Sequence, residues 1–257
     1  AKGGKRNVSV DIVRPACTSG LVTGILFLPG GGWNTADRTP LTDRYGISLA
    51  KHGYVFVAGE YRVMSEAPWP AQIQDVKATI RWMRANSGNL CIDPDLIVVA
   101  GKSAGGQIAL VAAGAPDVKE FDGNGGNPGV SSRVAGVVGV SPASDIRSRA
   151  KNPDFEPMFG KNPTHEFITA ANPVSYAGAD YPPTLFLHGT NDDRVHHSLT
   201  MAMYQKLEDV GVPVDLHLFA GQDHFFDRKA HFAKSVTDAM HLFISRYVPA
   251  KEAVATP

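Results

Sequence analysis

The residue pattern with the clearest chemical content is Gly101-Lys102-Ser103-Ala104-Gly105, a serine held between glycines. A serine hydroxyl is a weak nucleophile until a neighbouring base takes its proton. The G-x-S-x-G spacing supplies the geometry for that exchange when a strand precedes it and a helix follows. The serine then sits on a strained turn with its oxygen clear of the backbone. Both flanks are present: Leu96–Ala100 reads as a buried strand and Gly106 onward as a helix. The helix also points its positive N-terminal end at the serine. The rival reading, a glycine turn with an incidental serine, leaves this strand–serine–helix order unexplained.

A nucleophilic serine needs donors for the oxyanion it creates. Leu28-Pro29-Gly30-Gly31-Gly32-Trp33 follows another strand pattern, and three glycines let backbone N–H groups converge without side-chain obstruction. The N–H of Ala104, next after the serine, is the complementary donor. A phosphate cradle is the alternative for such a loop, but Asn34-Thr35-Ala36 stands where the Lys-Ser/Thr of a P-loop belongs.

A base and its orienting acid must come from loops that can reach Ser103. The strand Thr184–His188 runs into Gly189-Thr190-Asn191-Asp192-Asp193, so a carboxylate lies just beyond a strand end, and either aspartate could serve. The strand Val214–Phe219 leads to Gly221-Gln222-Asp223-His224, which places His224 on a loop suited to the base. The chain has nine histidines. His52, His231 and His241 fall on helix patterns, His217 within a strand and His165 in a loop. His188 sits at a strand end, where a structural hydrogen bond is expected. His196-His197 could line a pocket, but no carboxylate stands at ligand spacing beside them, and no metal or other cofactor is called for.

These loops need a frame. Short apolar, β-branched runs at Val8–Val13, Gly24–Leu28, Tyr54–Ala58, Leu96–Ala100, Val134–Val140, Thr184–His188 and Val214–Phe219 predict strands buried on both faces. Helix patterns at Leu41–His52, Ala71–Asn86, Gly106–Ala113, Ser198–Val210 and Ala230–Tyr247 alternate with them. The expected fold class is α/β: a doubly wound, mostly parallel sheet with helices on both faces and the loops of interest at the strand carboxyl ends. One domain over 8–248 is expected, with no large cap and with flexible ends at 1–7 and 249–257. Two irregular stretches, Ala115–Ser132 and Ser148–Ala171, are expected to shape the pocket.

Composition narrows the class. With 257 residues, 43% of them apolar and 19% charged, the chain can bury a sizeable core. Lys plus Arg and Asp plus Glu both total 25, which argues against a nucleic-acid partner. No apolar run is long enough to span a bilayer. Cys17 and Cys91 are too few for a disulfide framework, and one bridge or two thiols both fit the sequence. The residues Ala1–Arg6 lack the apolar segment of a secretion signal and suit a mature or engineered start.

Taken together, these motifs resemble the carboxylesterase branch of the α/β-hydrolases. Within it they resemble the hormone-sensitive-lipase-like esterases and, more closely, the BD-FAE-like group of bacterial acetylxylan and feruloyl esterases and kynurenine formamidases. The resemblance runs from about Val8 to Tyr247. It is carried by Gly30–Trp33, Glu60-Tyr61-Arg62, Ala67–Asp75, Ile92–Asp95, Gly101–Gly106, Gly123–Ser132, His188–Val195 and Gly221–His224.

It implies an α/β-hydrolase fold and a cofactor-free Ser-His-Asp mechanism. The family's His-Gly-Thr-x-Asp-x-x-Val pattern selects Asp192 over Asp193, and its Gly-x-x-His pattern selects His224 as base for Ser103. The oxyanion donors become Gly31, Gly32 and Ala104, with Trp33 adjoining the substrate pocket and Arg62 structural. The implied substrates are short-chain acyl esters, acetyl or feruloyl groups on plant polysaccharide, hydrolysed by a secreted or periplasmic enzyme. An aryl formamidase or other amidase could use the same triad, and a binding protein that has lost catalysis is the non-enzymatic alternative. Oligomeric state is not readable. Two departures stand out: Pro29 occupies the place of the family's usual histidine, and Lys102 precedes the serine where a small or neutral residue is common. Lys102 is expected to be solvated, the alternative being a cation that attracts acidic substrates.

Overall fold

In the computed structural model, residues 7–17 and 20–249 are described. Seven strands form one sheet: β1 Val10–Val13, β2 Val22–Leu28, β3 Val55–Gly59, β4 Ile92–Lys102, β5 Gly136–Val140, β6 Thr184–Gly189 and β7 Val214–Phe219. Their spatial order is β1-β3-β2-β4-β5-β6-β7, and among the described residues only β1 runs antiparallel to its neighbour. The expected flexible ends lie outside the described residues except for Asn7 and Pro249.

The sheet is covered on both faces because its central strands have no polar face to offer water. Every residue of β3 and β5 is buried. On one face lie α2 (Ala71–Ala85) and α3 (Ser103–Gly114). The Ile73, Val76, Ile80 and Met83 stripe of α2 is wholly buried against Leu26, Val57 and Val99. On the other face lie α1 and α5. Here α1 (residues 39–51) is helical over Thr39–Leu41, widens into a π turn over Thr42–Gly46 and continues over Ile47–Lys51, while α5 is Ala230–Tyr247. Tyr45, Val236, Met240 and Phe243 join Ile25, Phe27, Val98 and Leu185 in that second core. The helix α4, His197–Asp209, returns the chain from β6 to β7.

Several boundaries differ from the sequence expectation, each for a physical reason. Helix α3 begins at Ser103 rather than Gly106, because Gly105 and Gly106 are packing residues. A Cβ on Gly105 would collide with the carbonyl of Pro29, and one on Gly106 would press on Pro142. The Ser148–Ala171 stretch holds helical turns at Glu156–Phe159 and His165–Ala171. His165 therefore heads a helix, capped by Thr164, whose hydroxyl accepts from Phe167 N at 3.2 Å. The Ala115–Ser132 loop lies over cations of α2 that take up its otherwise unpaired carbonyls. Lys77 donates to Pro116 O at 2.8 Å and Arg81 to Gly125 O at 2.7 Å.

The two cysteines are joined. Cys17 and Cys91 form a disulfide with Cα atoms 5.9 Å apart, tying the segment before β2 to the start of β4. Among the described residues no helix is long and apolar enough to cross a membrane.

Candidate active site

Four loops leave carboxyl ends of parallel strands and meet on one side of the sheet: Gly30–Trp33 after β2, Ser103 after β4, Asp192 after β6 and His224 after β7. That is where an open α/β sheet gathers its ligand-facing loops. Ser103 has φ +53°, in the left-handed region that side chains avoid, and it is the first residue of α3. This strained corner keeps its hydroxyl off the helix surface and directed toward the β7 loop.

The sequence-expected residues are brought together. His224 Nε2 lies 3.0 Å from Ser103 Oγ, and His224 Nδ1 lies 2.6 Å from Asp192 Oδ2. The carboxylate meeting His224 is that of Asp192, while Asp193 is exposed. With Nδ1–H donated to Asp192, the unprotonated Nε2 is free to accept from the Ser103 hydroxyl. Burial lowers the His224 pKa below its ordinary value of 6.5, and Lys102 lowers it further; the Asp192 hydrogen bond only partly opposes them. The imidazole is therefore neutral, the form a general base requires.

Asp192 is held from more sides than its sequence context suggests. Burial pushes its carboxyl up, but hydrogen bonds from His188, His224 and the Val195 N–H outweigh this and keep it well below the usual carboxylate range. Arg194 N and Val195 N donate to Oδ1 at 2.9 and 2.8 Å, and His188 Nε2 lies 3.0 Å from Oδ2. His188 Nε2 also lies 2.9 Å from Val195 O. A carbonyl only accepts, so this nitrogen carries a proton. Thr200 Oγ1, 2.9 Å from Nδ1, fixes the other edge of the ring. His188 is thus the structural histidine expected, yet its partner is the Asp192 carboxylate itself. Its place at the head of the His-Gly-Thr-x-Asp pattern is the signal that could have found it.

The glycine loop forms the facing wall. Gly31 has φ +146° and Gly32 φ +59°. A Cβ on Gly31 would strike the carbonyl and hydroxyl of Thr35. Among the described residues the N–H groups of Gly31 and Gly32 have no acceptor. Ala104 N, in the first turn of α3, has no partner within its helix. Pro29, which cannot anchor the loop through a side-chain donor, does so through its carbonyl, which accepts from the buried Tyr61 hydroxyl at 3.0 Å. Trp33 is only 1% exposed. Its indole N–H donates to Gln107 at 3.0 Å, and its ring meets Phe155 and Phe159 edge-on. It is also one of the residues lining the cavity over Ser103, as expected from the sequence.

Lys102 corrects the expectation made from sequence. Its side chain is buried, not solvated: Nζ lies 2.8 Å from Asp227 Oδ1 and donates to the backbone carbonyl of His224 at 2.5 Å. Asp227, 1% exposed, also accepts from Tyr45 OH at 2.6 Å and lies 3.5 Å from Arg44. A lysine four-carbon stem can cross this distance, and the ion pair offsets the desolvation that an unpaired ammonium would suffer. The pair fixes the backbone of His224 from beneath. Arg62, expected to be structural, makes a forked pair with Asp75 at 2.8 Å. His196 and His197 stack on each other, and among the described residues no group of three or more His, Cys, Asp or Glu could hold a metal ion.

A cavity of about 530 Å³ opens over Ser103, His224 and the glycine loop, within the range of small-molecule sites.

Comparison with known proteins agrees with this architecture. The BD-FAE family model matches residues 10–207. "Probable carboxylic ester hydrolase LipM" of Mycobacterium tuberculosis is 31% identical over 231 residues, covering 82% of this chain and 52% of that protein. "Esterase LipQ" of the same organism is 26% identical over 270 residues, covering 97% and 62%. The chain thus spans about half to three fifths of the length of these relatives. Among solved structures, apo Thermogutta terrifontis esterase 2 superposes with a TM-score of 0.82 at 25% identity, covering 96% of this chain and 92% of that one. A truncated carbohydrate esterase from gut microbiota has the same fold, with TM-score 0.82, 24% identity and coverage of 96% and 99%. The chain belongs to the BD-FAE family and has an α/β-hydrolase fold.

Proposed function

We propose that this protein is a serine carboxylic ester hydrolase that works through an acyl-enzyme. The observation carrying the reading is the continuous relay from Ser103 through His224 to Asp192, at 3.0 and 2.6 Å, facing the same cavity as the Gly31–Gly32 loop. Ser103 Oγ attacks the ester carbonyl while His224 Nε2 takes its proton. The oxyanion receives hydrogen bonds from the N–H groups of Gly31, Gly32 and Ala104. Collapse of the tetrahedral species breaks the bond to the alcohol oxygen, and His224 returns the proton to that leaving group. Water, deprotonated by His224, then attacks the acyl-Ser103 ester, releasing the acid and restoring the hydroxyl. Asp192 orients the imidazole and stabilises its cationic form in both half-reactions.

The substrates we infer are short-chain acyl esters, acetyl or feruloyl groups on polysaccharide, as the BD-FAE membership and the motif resemblance suggest. Secretion is part of the same reading, supported by the Cys17–Cys91 bridge, since disulfides persist in oxidising compartments.

The test is hydrolysis of a chain-length series of nitrophenyl esters, with acetylated xylan, methyl ferulate and an N-formyl arylamine alongside, by wild type and Ser103→Ala. Ester hydrolysis is expected, strongest for short acyl groups and lost in the variant. Cleavage of the formamide alone would favour the amidase reading. No cleavage by folded wild type would favour a binding protein. Asp192→Asn should lower kcat by about 10⁴-fold without unfolding the protein, and full activity in that variant would remove Asp192 from the relay.

A further inference from the structure

The cavity above Ser103 is strongly basic in a chain whose charges balance overall. Its lining includes Arg44, Lys102, Arg149, Arg194 and Arg228 but only two carboxylates, Asp37 and Asp227. Asp227 is already engaged by Lys102, Tyr45 and Arg44. Asp37 accepts from the N–H and hydroxyl of Thr39 at 3.0 and 2.7 Å at the head of α1. A third carboxylate, Asp192, is buried behind His224 and saturated with donors. Among the described residues, Arg149, Arg194 and Arg228 have no acidic side chain as an ion-pair partner.

All three arginines line this cavity, and two of them share one aromatic ring. The Arg228 guanidinium lies 4.1 Å from the centroid of the Phe225 ring and that of Arg194 5.9 Å from it, and Phe225 adjoins His224 edge to face at 5.1 Å. Arg149, half-buried, donates to the Arg194 carbonyl, which joins the Ser148–Ala171 stretch to the β6 loop. Phe225 is itself exposed. Like charges gathered in a concave, partly desolvated site raise the local potential and attract a counter-ion. Guanidinium forks fit a planar carboxylate bidentately. The exposed ring beside them offers contact to a carbon skeleton, which favours an organic acid over a strongly hydrated phosphate.

We propose that the site selects esters carrying a carboxylate, held by Arg149, Arg194 and Arg228 beside Phe225 while the ester carbonyl meets Ser103. This rests on the esterase reading and narrows its substrate class to acidic esters, such as an acylated uronate or the monoester of a dicarboxylic acid.

The experiment measures kcat/KM for two matched pairs of esters, in wild type and in Arg149→Gln, Arg194→Gln and Arg228→Gln. One pair places the charge on the alcohol side, 4-acetoxybenzoate against 4-acetoxybenzamide. The other places it on the acyl side, the 4-nitrophenyl monoester of adipic acid against 4-nitrophenyl hexanoate. In at least one pair wild type should prefer the anionic member by about tenfold, as expected for a charge-assisted contact. That anionic-to-neutral ratio should fall about fivefold or more in the arginine variants. It should also fall in wild type as salt rises from about 0.05 to about 0.5 M, a control that requires no substitution. Which pair responds tells on which side of the scissile bond the acid sits. Cleavage of both members of both pairs at similar rates, or ratios insensitive to the arginines and to salt, would overturn the inference and leave the esterase reading intact. Cleavage of no ester would overturn both.

Discussion

His224 is the group through which acidification first reaches this site. Its pKa lies below the ordinary 6.5 because burial and Lys102 outweigh the pull of Asp192, with His188 adding a smaller downward push. The neutral ring therefore persists into mildly acidic solution. The acidic limb of kcat/KM should have its midpoint below pH 6.5, which a pH profile on a neutral ester checks directly; a midpoint above that value would contradict the geometry. The sign for stability is the same. A group whose folded pKa is depressed contributes stability that is present above its unfolded value and lost as pH falls through the folded one. His224 gives such a loss below 6.5 and Asp192 a second below 3.8, so His224→Gln should flatten the first phase in urea titrations across pH. Lys102 and Asp227 make the other residue-scale prediction. Asp227→Asn leaves a buried ammonium without its counter-charge, which should cost about 3–5 kcal/mol in urea unfolding. The lysine was misread from sequence because its environment is set by a residue 125 positions later, in a loop whose path no local pattern records. By contrast Ser103 and His224 were legible because each stands just past a recognisable strand, whereas the strand end left Asp192 and Asp193 open and only the family pattern chose between them.

At the scale of the element, the glycine loop and the serine corner are one unit. The Pro29 and Leu28 carbonyls press on Gly105, and Gly30 packs against the Lys102 carbonyl and Ser103 Cβ. The loop's position therefore depends on the first turn of α3 as much as on β2. Gly31→Ala puts a methyl into the Thr35 carbonyl and onto a backbone angle that side chains avoid. Its expected effect is to turn a donor away from the oxyanion, lowering kcat by about 10²–10³-fold with a smaller change in KM. Steady-state kinetics with a thermal-unfolding control checks this. The strands and long helices were readable because burial on both faces leaves continuous apolar runs, and α2 and α5 carry clean helical stripes. The start of α3 was not, because Gly105 and Gly106 read as turn residues when their smallness serves close packing. The helical turns of 148–171 were missed as well. They are short, and Pro153, Pro157 and Pro163 give them the look of a loop.

On the scale of the whole molecule, the chain joins chemistry gathered at one end of a parallel sheet to a covalent tie at the other. β4 begins just after the bridged Cys91 and ends where Ser103 begins. The Cys17–Cys91 bridge spans 74 positions, a closure that removes about 4 kcal/mol worth of freedom from the unfolded chain in the entropy model. Cys17→Ser with Cys91→Ser should therefore lower the unfolding midpoint in urea while leaving kcat at room temperature close to that of wild type. A large loss of kcat in the folded double variant would mean that the tie reaches the serine corner after all. For anyone using the protein, reductant becomes a control on shelf life and not on speed. A sample folded without the bridge should start its progress curves at the same slope as an oxidised one, then bend over sooner as it warms.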